Sequence, residues 1–356
     1  MKRQSRPLFQ KTLLALTMAL SVSSLADACT RAVYQGDGGL VVTGRTMDWH
    51  AAMPTNLWAL PRGIDRSGAA GPHSMTWNAR YGSLVAAGFD AGTADGMNEK
   101  GLVANLLYLT ESEYVTPSDK DPRKTLSISL WAQYVLDNFA TVSEAVAALS
   151  KDEFYVVTTL TPDGKPGQLH LSISDASGDS AIFQYVDGKL QIHHDRSYQV
   201  MTNSPVFDKQ LALNEYWEEI GGLTMLPGTN RSADRFARAS FYIKTLPKTD
   251  QANEAVAGVM SVMRNVSVPM GISTPDQPNI STTLWRSVSD QQHRRYFFEL
   301  THLPTTFLVS MDQLDLSAGA PVKKLPLTER QLYAGETADK FVPAKAFTFL
   351  PATPGA

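Results

Sequence analysis

The stretch SSLADACTRAVYQ, residues 23–35, contains the only cysteine of the 356-residue chain, and it decides how the fold begins. Cys29 is followed at once by the alternating sequence Thr-Arg-Ala-Val-Tyr, which is typical of a β-strand. Just before the cysteine, Ala26-Asp27-Ala28 fits the small-x-small rule of a secretory cleavage site. A strand is therefore expected to start at the residue that cleavage after Ala28 would leave at the amino terminus.

Residues 1–28 have the three parts of a signal peptide. Lys2, Arg3, Arg6 and Lys11 supply positive charge, an apolar run follows, and the small residues of the cleavage site come last. The apolar run is short and rich in Ser and Thr, and no later stretch approaches the roughly 20 apolar residues that a membrane span needs. The sequence predicts a signal peptide over residues 1–28, export of the mature chain to the periplasm, and no membrane span.

Composition limits the partners that the mature chain can have. Cleavage would remove four cationic residues and one anionic residue, and the net charge would change from −3 to about −6. Nucleic acid is not expected as a partner, because both molecules would be negatively charged. Hydrophobic residues make up 43% of the chain and charged residues 19%, which is ordinary for a globular protein with one large domain or two smaller ones.

The residues alone leave three interpretations of Cys29 open. With a single cysteine no internal disulfide can form, so the thiol is reactive, modified or incidental. It could carry lipid, although a lipoprotein signal usually has Leu where this chain has Ala26. It could be an incidental thiol that pairs between chains. It could also be a nucleophile, because its own α-amine, with a pKa of about 7.7 to 8.0, would accept the thiol proton after cleavage.

A β-hairpin is predicted directly after Cys29. The glycine-rich turn at residues 35–39 separates the first strand from a second strand over residues 40–50. The second strand would return to Cys29 and bring Arg45 and Asp48 beside it. Arg45 would lower the pKa of the thiol and Asp48 would orient the amine, although a surface ion pair is an equally good interpretation of this spacing.

Five motifs then occur in order: Cys29-Thr30, GRTMDW at residues 44–49, ADGMNEKGL at 94–102, MTNSPVFD at 201–208, and LPG followed by DRFARASF within 226–241. Together they resemble the choloylglycine hydrolase family, which contains penicillin V acylases and conjugated bile acid hydrolases and belongs to the N-terminal nucleophile hydrolases. The resemblance implies a single domain over residues 29–356. It also implies an α+β fold of four αββα layers, in which two antiparallel sheets are sandwiched between helical layers.

The resemblance implies a catalytic role for several residues. Cys29 matches the nucleophile, and Arg45 and Asp48 match the arginine and aspartate beside it. Asn203 matches the asparagine whose amide contributes to the oxyanion hole, and Arg235 matches a second arginine of the active site. Without the resemblance, Asn203 would be interpreted as a turn residue and Arg235 as a solvated helix residue.

Tyr108 and Trp49 resemble the Gram-negative branch of the family. Tyr108 occupies a position where penicillin V acylases have tyrosine and bile acid hydrolases have asparagine, and its backbone N–H would contribute to the oxyanion hole. Members of that branch are associated with penicillin V and with N-acyl-homoserine lactones. Met47, Trp49 and Tyr108 could line a pocket for an aryloxyacetyl or long aliphatic acyl group, although each residue type is more often found in a core.

The expected function is hydrolysis of a small linear amide without a metal or an organic cofactor. Penicillin V is the preferred substrate, long-chain acyl-homoserine lactones are a further one, and conjugated bile acids are the alternative. A second alternative is a lipidated periplasmic binding protein, in which the acylated amine of Cys29 could not act as a base. The resemblance also implies a homotetramer, although the segment between Asn203 and Arg235 is shorter than in Gram-positive bile acid hydrolases.

Local patterns outside the proposed site predict further elements. Residues 127–139 and 141–150 are expected to be helices, the second opened by a capping box. Residues 170–203 are expected to form one antiparallel meander of four strands. In the turn of ADGMNEKGL, both Asn98 and Gly101 are expected to have positive φ.

Overall fold

The hairpin after Cys29 forms as the sequence predicts. In the computed structural model, which describes residues 29–354 except 119, 272–280 and 330, β1 spans Thr30–Gln35 and β2 spans Val41–Trp49. The two strands are antiparallel, and Thr30 lies opposite Thr46. Every residue of β2 is buried, so the charged side chains of this strand lie inside the protein.

The remaining elements alternate between groups of strands and groups of helices. The other strands are β3 (Thr55–Leu60), β4 (Asp65–Ser67), β5 (Thr76–Asn78), β6 (Ser83–Gly88), β7 (Gly92–Asn98), β8 (Val103–Tyr108), β9 (Lys124–Ser127), β10 (Phe154–Val157), β11 (Leu169–Ser174), β12 (Ser180–Val186), β13 (Lys189–His194), β14 (Val200–Thr202), β15 (Thr282–Asp290), β16 (Arg295–Leu300), β17 (Thr306–Ser310), β18 (Lys323–Leu325), β19 (Gly335–Glu336) and β20 (Val342–Pro343). The helices are α1 (Trp131–Asn138), α2 (Val142–Leu149), α3 (Phe207–Ile220), α4 (Ser232–Thr245) and α5 (Ala252–Asn265).

Two large sheets contain most of these strands. The first has seven strands in the order β14-β1-β2-β15-β16-β17-β19. The second has nine strands in the order β13-β12-β11-β8-β7-β6-β3-β18-β20. Neighbouring strands are antiparallel in both sheets, except that β17 and β19 are parallel.

Helices cover the outer face of each sheet. On the first sheet, α4 packs on β1 and β14, and α5 packs on β2 and β15; on the second sheet, α1 packs on β7 and β8, and α2 on β12. One hydrophobic core contains residues of α4, α5 and both sheets, and a second core lies between α1, α2 and the second sheet. The layers therefore follow the order helices, sheet, sheet, helices, which confirms the predicted α+β fold of four αββα layers.

Both predicted helices form, but the first is α-helical only from Trp131, because Ser127 ends β9 and Ile128–Leu130 form a 3₁₀ turn. One feature of the predicted turn is also wrong. α2 begins after Thr141, whose Oγ1 accepts a hydrogen bond of 3.2 Å from the N–H of Glu144. Gly101 has a φ of +82°, as expected, but Asn98 does not have a positive φ. Asn98 instead holds the turn through its side chain, because its Oδ1 accepts hydrogen bonds from the N–H groups of Lys100 and Leu102 at 3.0 and 3.1 Å.

The predicted four-stranded meander is wrong at its last strand. β11, β12 and β13 are antiparallel neighbours in the second sheet, but β14 crosses to the first sheet and pairs with β1. Thr202 thereby lies opposite Thr30. An alternating pattern predicts a strand but not its partner, since the alternation is the same in either sheet. The crossover brings Asn203 close to Cys29.

The part of the chain that the structure describes contains neither a candidate membrane-spanning helix nor a candidate metal-binding cluster. Within it, no helix has the length and apolar character needed to cross a membrane. No group of three or more His, Cys, Asp or Glu residues is placed there to hold a metal ion. The predicted signal peptide, residues 1–28, lies outside the described residues.

Candidate active site

The thiol of Cys29 is buried at the start of β1, with 2% of the residue exposed. The backbone N–H of Asp48 donates to Sγ over 3.4 Å, and Nη2 of Arg45 lies 3.9 Å from Sγ. Sδ of Met47 lies at the same distance of 3.9 Å. These contacts all come from β2, so the hairpin alone builds the immediate surroundings of the sulfur.

Burial and charge act in opposite directions on this thiol. Removal from water raises the pKa of Cys29, because it disfavours the thiolate, whereas Arg45 lowers it and Asp48 raises it further. Arg45 acts in the predicted direction, but burial outweighs it, and the net shift of the thiol pKa is upward. A thiol in this environment needs a base to become a nucleophile.

Backbone carbonyls hold the guanidinium of Arg45. Its Nη2 donates to the carbonyl oxygen of Leu106 at 2.8 Å, Nη1 to that of Ala94 at 3.1 Å, and Nε to that of Thr46 at 3.1 Å. Its Cζ lies 4.6 Å from the ring centroid of Trp285. These contacts fix the buried guanidinium in a single position beside the sulfur of Cys29.

The carboxylate of Asp48 is buried and bound on both oxygens. Thr283 donates to Oδ1 at 2.6 Å, and Thr46 donates to Oδ2 at 3.4 Å. Nη1 of Arg235 lies 3.7 Å from Oδ2. Burial raises the pKa of Asp48 to about 6, although Arg235 and Thr283 lower it.

Asn203 and Arg235 connect the first sheet to Tyr108 of the second. Nδ2 of Asn203 donates to the carbonyl oxygen of Tyr108 at 2.7 Å, and Oδ1 accepts from Nη2 of Arg235 at 3.1 Å. These two partners determine which end of the amide is the NH₂ group. Nη1 of Arg235 also donates to the carbonyl oxygen of Cys29 at 2.8 Å and to Oγ1 of Thr30 at 2.5 Å.

An apolar cavity lies beside Cys29. The predicted pocket residues Met47, Trp49 and Tyr108 all line it, together with Cys29 itself. Cys29 therefore borders an apolar space that an acyl group can occupy.

The loop at residues 161–167 contributes to the rim of this cavity. Oδ2 of Asp163 accepts a hydrogen bond of 2.7 Å from Nε1 of Trp49 and lies 3.2 Å from Nε2 of His50. Nζ of Lys165 lies 5.2 Å from the ring centroid of Trp49 and 5.3 Å from that of Tyr108. The loop therefore holds both aromatic rings in place.

The structure brings all six predicted catalytic residues into one connected group. Sequence reasoning missed Thr283 and Asp95, which hold Asp48 and Arg45, and Asp163, which holds the pocket residue Trp49. Thr283 and Asp95 are polar residues buried inside strands, which is a signal only once the strand and its buried face are known. Asp163 lies in a polar loop far from Trp49 in sequence, and no local pattern relates the two residues.

The chain is similar in sequence and in structure to known amide hydrolases. A family model described as linear amide C–N hydrolases, choloylglycine hydrolase family, matches residues 29–324. A penicillin V acylase from Pectobacterium atrosepticum is 46% identical over 361 residues, which cover 95% of each chain. The structure of a penicillin V acylase from Agrobacterium tumefaciens has 55% sequence identity and a TM-score of 0.84, over 90% of this chain and 99% of that chain.

A mutant conjugated bile acid hydrolase from Clostridium perfringens has the same fold, with a TM-score of 0.69, over 83% of this chain and 96% of that chain, at 23% identity. The layered fold and the family match together define the class of protein. The chain belongs to the choloylglycine hydrolase family. It is an amidohydrolase that acts on linear amides.

Proposed function

We propose that this amidohydrolase deacylates penicillin V and related aryloxyacetyl amides, with Cys29 as an N-terminal nucleophile. The observation that carries the proposal is the Cys29 sulfur in the wall of an apolar cavity, beside Arg45 and the backbone N–H of Asp48. Similarity to penicillin V acylases over nearly the whole chain supports the choice of substrate.

The α-amine of Cys29 is the base in this proposal. Once residues 1–28 are removed, the amine becomes free, and its ordinary pKa of about 7.7 to 8.0 suits proton transfer at neutral pH. The raised pKa of the thiol makes such a base necessary. Asp48, ionised above its pKa of about 6, stabilises the ammonium that forms. The sulfur then attacks the carbonyl carbon of the amide.

Asn203 and Tyr108 supply the donors for the oxyanion. Nδ2 of Asn203 has two hydrogens, and the bond to the Tyr108 carbonyl uses one of them. The main-chain groups of Tyr108 point away from β11, because the next residue, Leu109, donates to Gln168 in that ladder. Its N–H faces the same side as the carbonyl group that Asn203 binds, and we assign it as the second donor, with each donor contributing about 2.7 to 4 kcal/mol to the barrier reduction.

Three proton transfers complete the cycle. The ammonium of Cys29 gives its proton to the leaving nitrogen, the C–N bond breaks, and the acyl group remains as a thioester on Sγ. The amine then takes a proton from water, which attacks the thioester carbon. The C–S bond breaks, the carboxylic acid leaves, and the proton returns to the sulfur.

Long-chain N-acyl-homoserine lactones are the second candidate substrate. The cavity is lined by Met47 and Met53 and extends to Leu350, and methionine side chains adapt to flexible aliphatic chains. Conjugated bile acids are the alternative substrate within the same family. Membership of the amidohydrolase family argues against the lipidated binding protein without catalysis, which was the second alternative from the sequence.

The test uses protein exported from its own leader, in wild-type form and as Cys29→Ser. Intact mass is measured first, and turnover is then compared on penicillin V, a long-chain acyl-homoserine lactone and glycocholate. We expect a mass that begins at Cys29, penicillin V as the fastest substrate, and loss of turnover in Cys29→Ser with unchanged circular dichroism. Faster cleavage of glycocholate would contradict the substrate, whereas an added lipid or full activity of Cys29→Ser would contradict the mechanism.

We also propose that the mature chain is periplasmic and forms a homotetramer. The signal-like residues 1–28 support export, and the family resemblance supports assembly. Cell fractionation tests the first proposal and light scattering of the purified mature protein tests the second. Activity in the cytoplasmic fraction alone, or the mass of a single chain, would overturn the respective proposal.

A further inference from the structure

Asp95 on β7 reaches across the space between the two sheets to Arg45 on β2. Its Oδ2 lies 3.7 Å from Nη1 of Arg45, while Nη2 of the same guanidinium lies 3.9 Å from the Cys29 sulfur. Asp95 and Arg45 are 0% and 1% exposed. One buried cation thus stands between a buried carboxylate and the sulfur.

Neutral donors hold the Asp95 carboxylate in place. The hydroxyl of Tyr296 donates to Oδ1 at 2.6 Å, and Ser287 and Asn105 donate to Oδ2 at 3.0 and 2.8 Å. Burial and the nearby charge of Asp95 raise the pKa of Tyr296 well above its ordinary value, so the phenol remains a donor. Since no donor is itself charged, Arg45 is the cation that balances the Asp95 charge.

We propose that Asp95 is a positioning residue of the active site, which acts through Arg45 to set how strongly the Cys29 sulfur is held as a thiolate. The inference rests on the proposed role of Cys29 as the nucleophile. Asp95 is not among the residues that line the cavity, and it reaches the sulfur through Arg45. The carboxylate of Asp95 offsets part of the Arg45 charge and keeps the guanidinium between itself and the thiolate of Cys29.

The charges around the sulfur give the sign of the effect. Among the described residues, the buried charged groups that the contacts above connect to Cys29 are Arg45 and Asp48 of β2, Arg235 of α4 and, through Arg45, Asp95 of β7. The rim of the cavity adds the titratable or charged side chains of His50, Asp163 and Lys165, and processing adds the amine of Cys29 itself. The two buried guanidiniums balance the two buried carboxylates. Loss of the Asp95 charge leaves an excess of positive charge, which favours the thiolate.

The test measures alkylation of Cys29 by iodoacetamide against pH, in the mature protein. Cys29 is the single cysteine of the chain, so the reaction reports one site. In Asp95→Asn we expect the midpoint of the alkylation profile to move to lower pH by roughly one unit relative to wild type. Ser287→Ala is the matched control, because it removes one hydrogen bond to the same carboxylate oxygen and keeps the charge. Its profile should stay at the wild-type midpoint even where its melting temperature falls.

A second variant covers the case in which Asp95→Asn does not fold. Asp95→Asn/Tyr296→Phe removes the carboxylate together with its phenol donor, so that fewer buried polar groups lose their partners. A folded variant with an unchanged midpoint, or one shifted to higher pH, would overturn the proposal. Failure of both variants to fold would assign Asp95 to the structure alone and also overturn it. Because alkylation needs no substrate, these outcomes are independent of whether penicillin V is hydrolysed.

Discussion

Among single residues, Asp48 lies in an environment that disfavours the ionised form that its proposed role requires. Its carboxylate is buried with a pKa of about 6, yet the proposed cycle needs it ionised beside the ammonium of Cys29. The folded chain therefore binds more protons than the unfolded chain between about pH 4 and pH 6, and stability falls as pH rises through that window. The site retains a carboxylate where a neutral residue would be easier to bury, as expected for a residue kept for chemistry.

The same pKa predicts how activity depends on pH. We expect kcat/KM for penicillin V to fall as pH decreases below about 8, because the α-amine becomes protonated, and to fall more steeply below about 6, because protonated Asp48 no longer stabilises the ammonium. A pH–rate profile of the mature enzyme measures the steeper limb. In Thr283→Val the 2.6 Å hydrogen bond to the ionised carboxylate is lost, so the steeper limb should begin at higher pH. A profile whose slope does not change near pH 6 in either protein would show that Asp48 does not titrate in the catalytic step.

At the scale of elements, the packing of α5 on β2 supports the strand that carries Arg45 and Asp48. Gly44 of β2 lies against this helix so closely that a Cβ atom there would meet Cγ1 of Val259 at 2.6 Å and Cγ of Met263 at 2.8 Å. Both side chains belong to the buried face of α5. The helix and the strand can approach this closely because the strand has no side chain at this position.

We therefore expect Gly44→Ala to destabilise the protein by about 1 to 3 kcal/mol, because the added methyl group overpacks the contact between α5 and β2. Urea denaturation of the mature protein measures the free energy of unfolding. Gly228→Ala is the matched control, since a Cβ atom at Gly228 meets nothing within 4 Å. Equal free energies of unfolding for the two variants would mean that α5 moves away from β2 without a loss of stability.

Sequence reasoning succeeded where elements depend on neighbours in the chain. The hairpin of β1 and β2 was predictable because a glycine-rich turn joins two alternating segments. The partner of β14 was not, because the choice between sheets is made by long-range packing rather than by local pattern. Likewise, Arg45 and Asp48 could be placed beside Cys29 by register alone, whereas the position of Asp163 next to Trp49 depends on a loop more than 110 residues away.

At the scale of the whole molecule, the site forms only when the two sheets pack together. The first sheet and the segments that flank it contribute Cys29, Arg45, Asp48 and Asn203, and the second sheet contributes Tyr108. Each sheet by itself lacks either the nucleophile or one proposed oxyanion donor. This explains why the resemblance of five separate motifs, rather than any one of them, was needed to predict the site.

The proposed mechanism also requires that residues 1–28 be removed, so that Cys29 becomes the amino terminus of the molecule. A single residue before Cys29 converts its amine into an amide, which has no basic nitrogen. Two purified chains, one beginning at Ala28 and one at Cys29, therefore differ in one element of the proposed mechanism.

We expect the chain that begins at Ala28 to hydrolyse penicillin V at least about 100-fold more slowly, since general-base catalysis contributes about 10² to 10⁴ in rate. Intact mass verifies each terminus, and thermal denaturation verifies that both chains fold. Alkylation of Cys29 in both chains checks that the thiol is equally accessible. Equal turnover would mean that another group takes the thiol proton, and among the buried groups near the sulfur Asp48, with its raised pKa, would then be the first to consider.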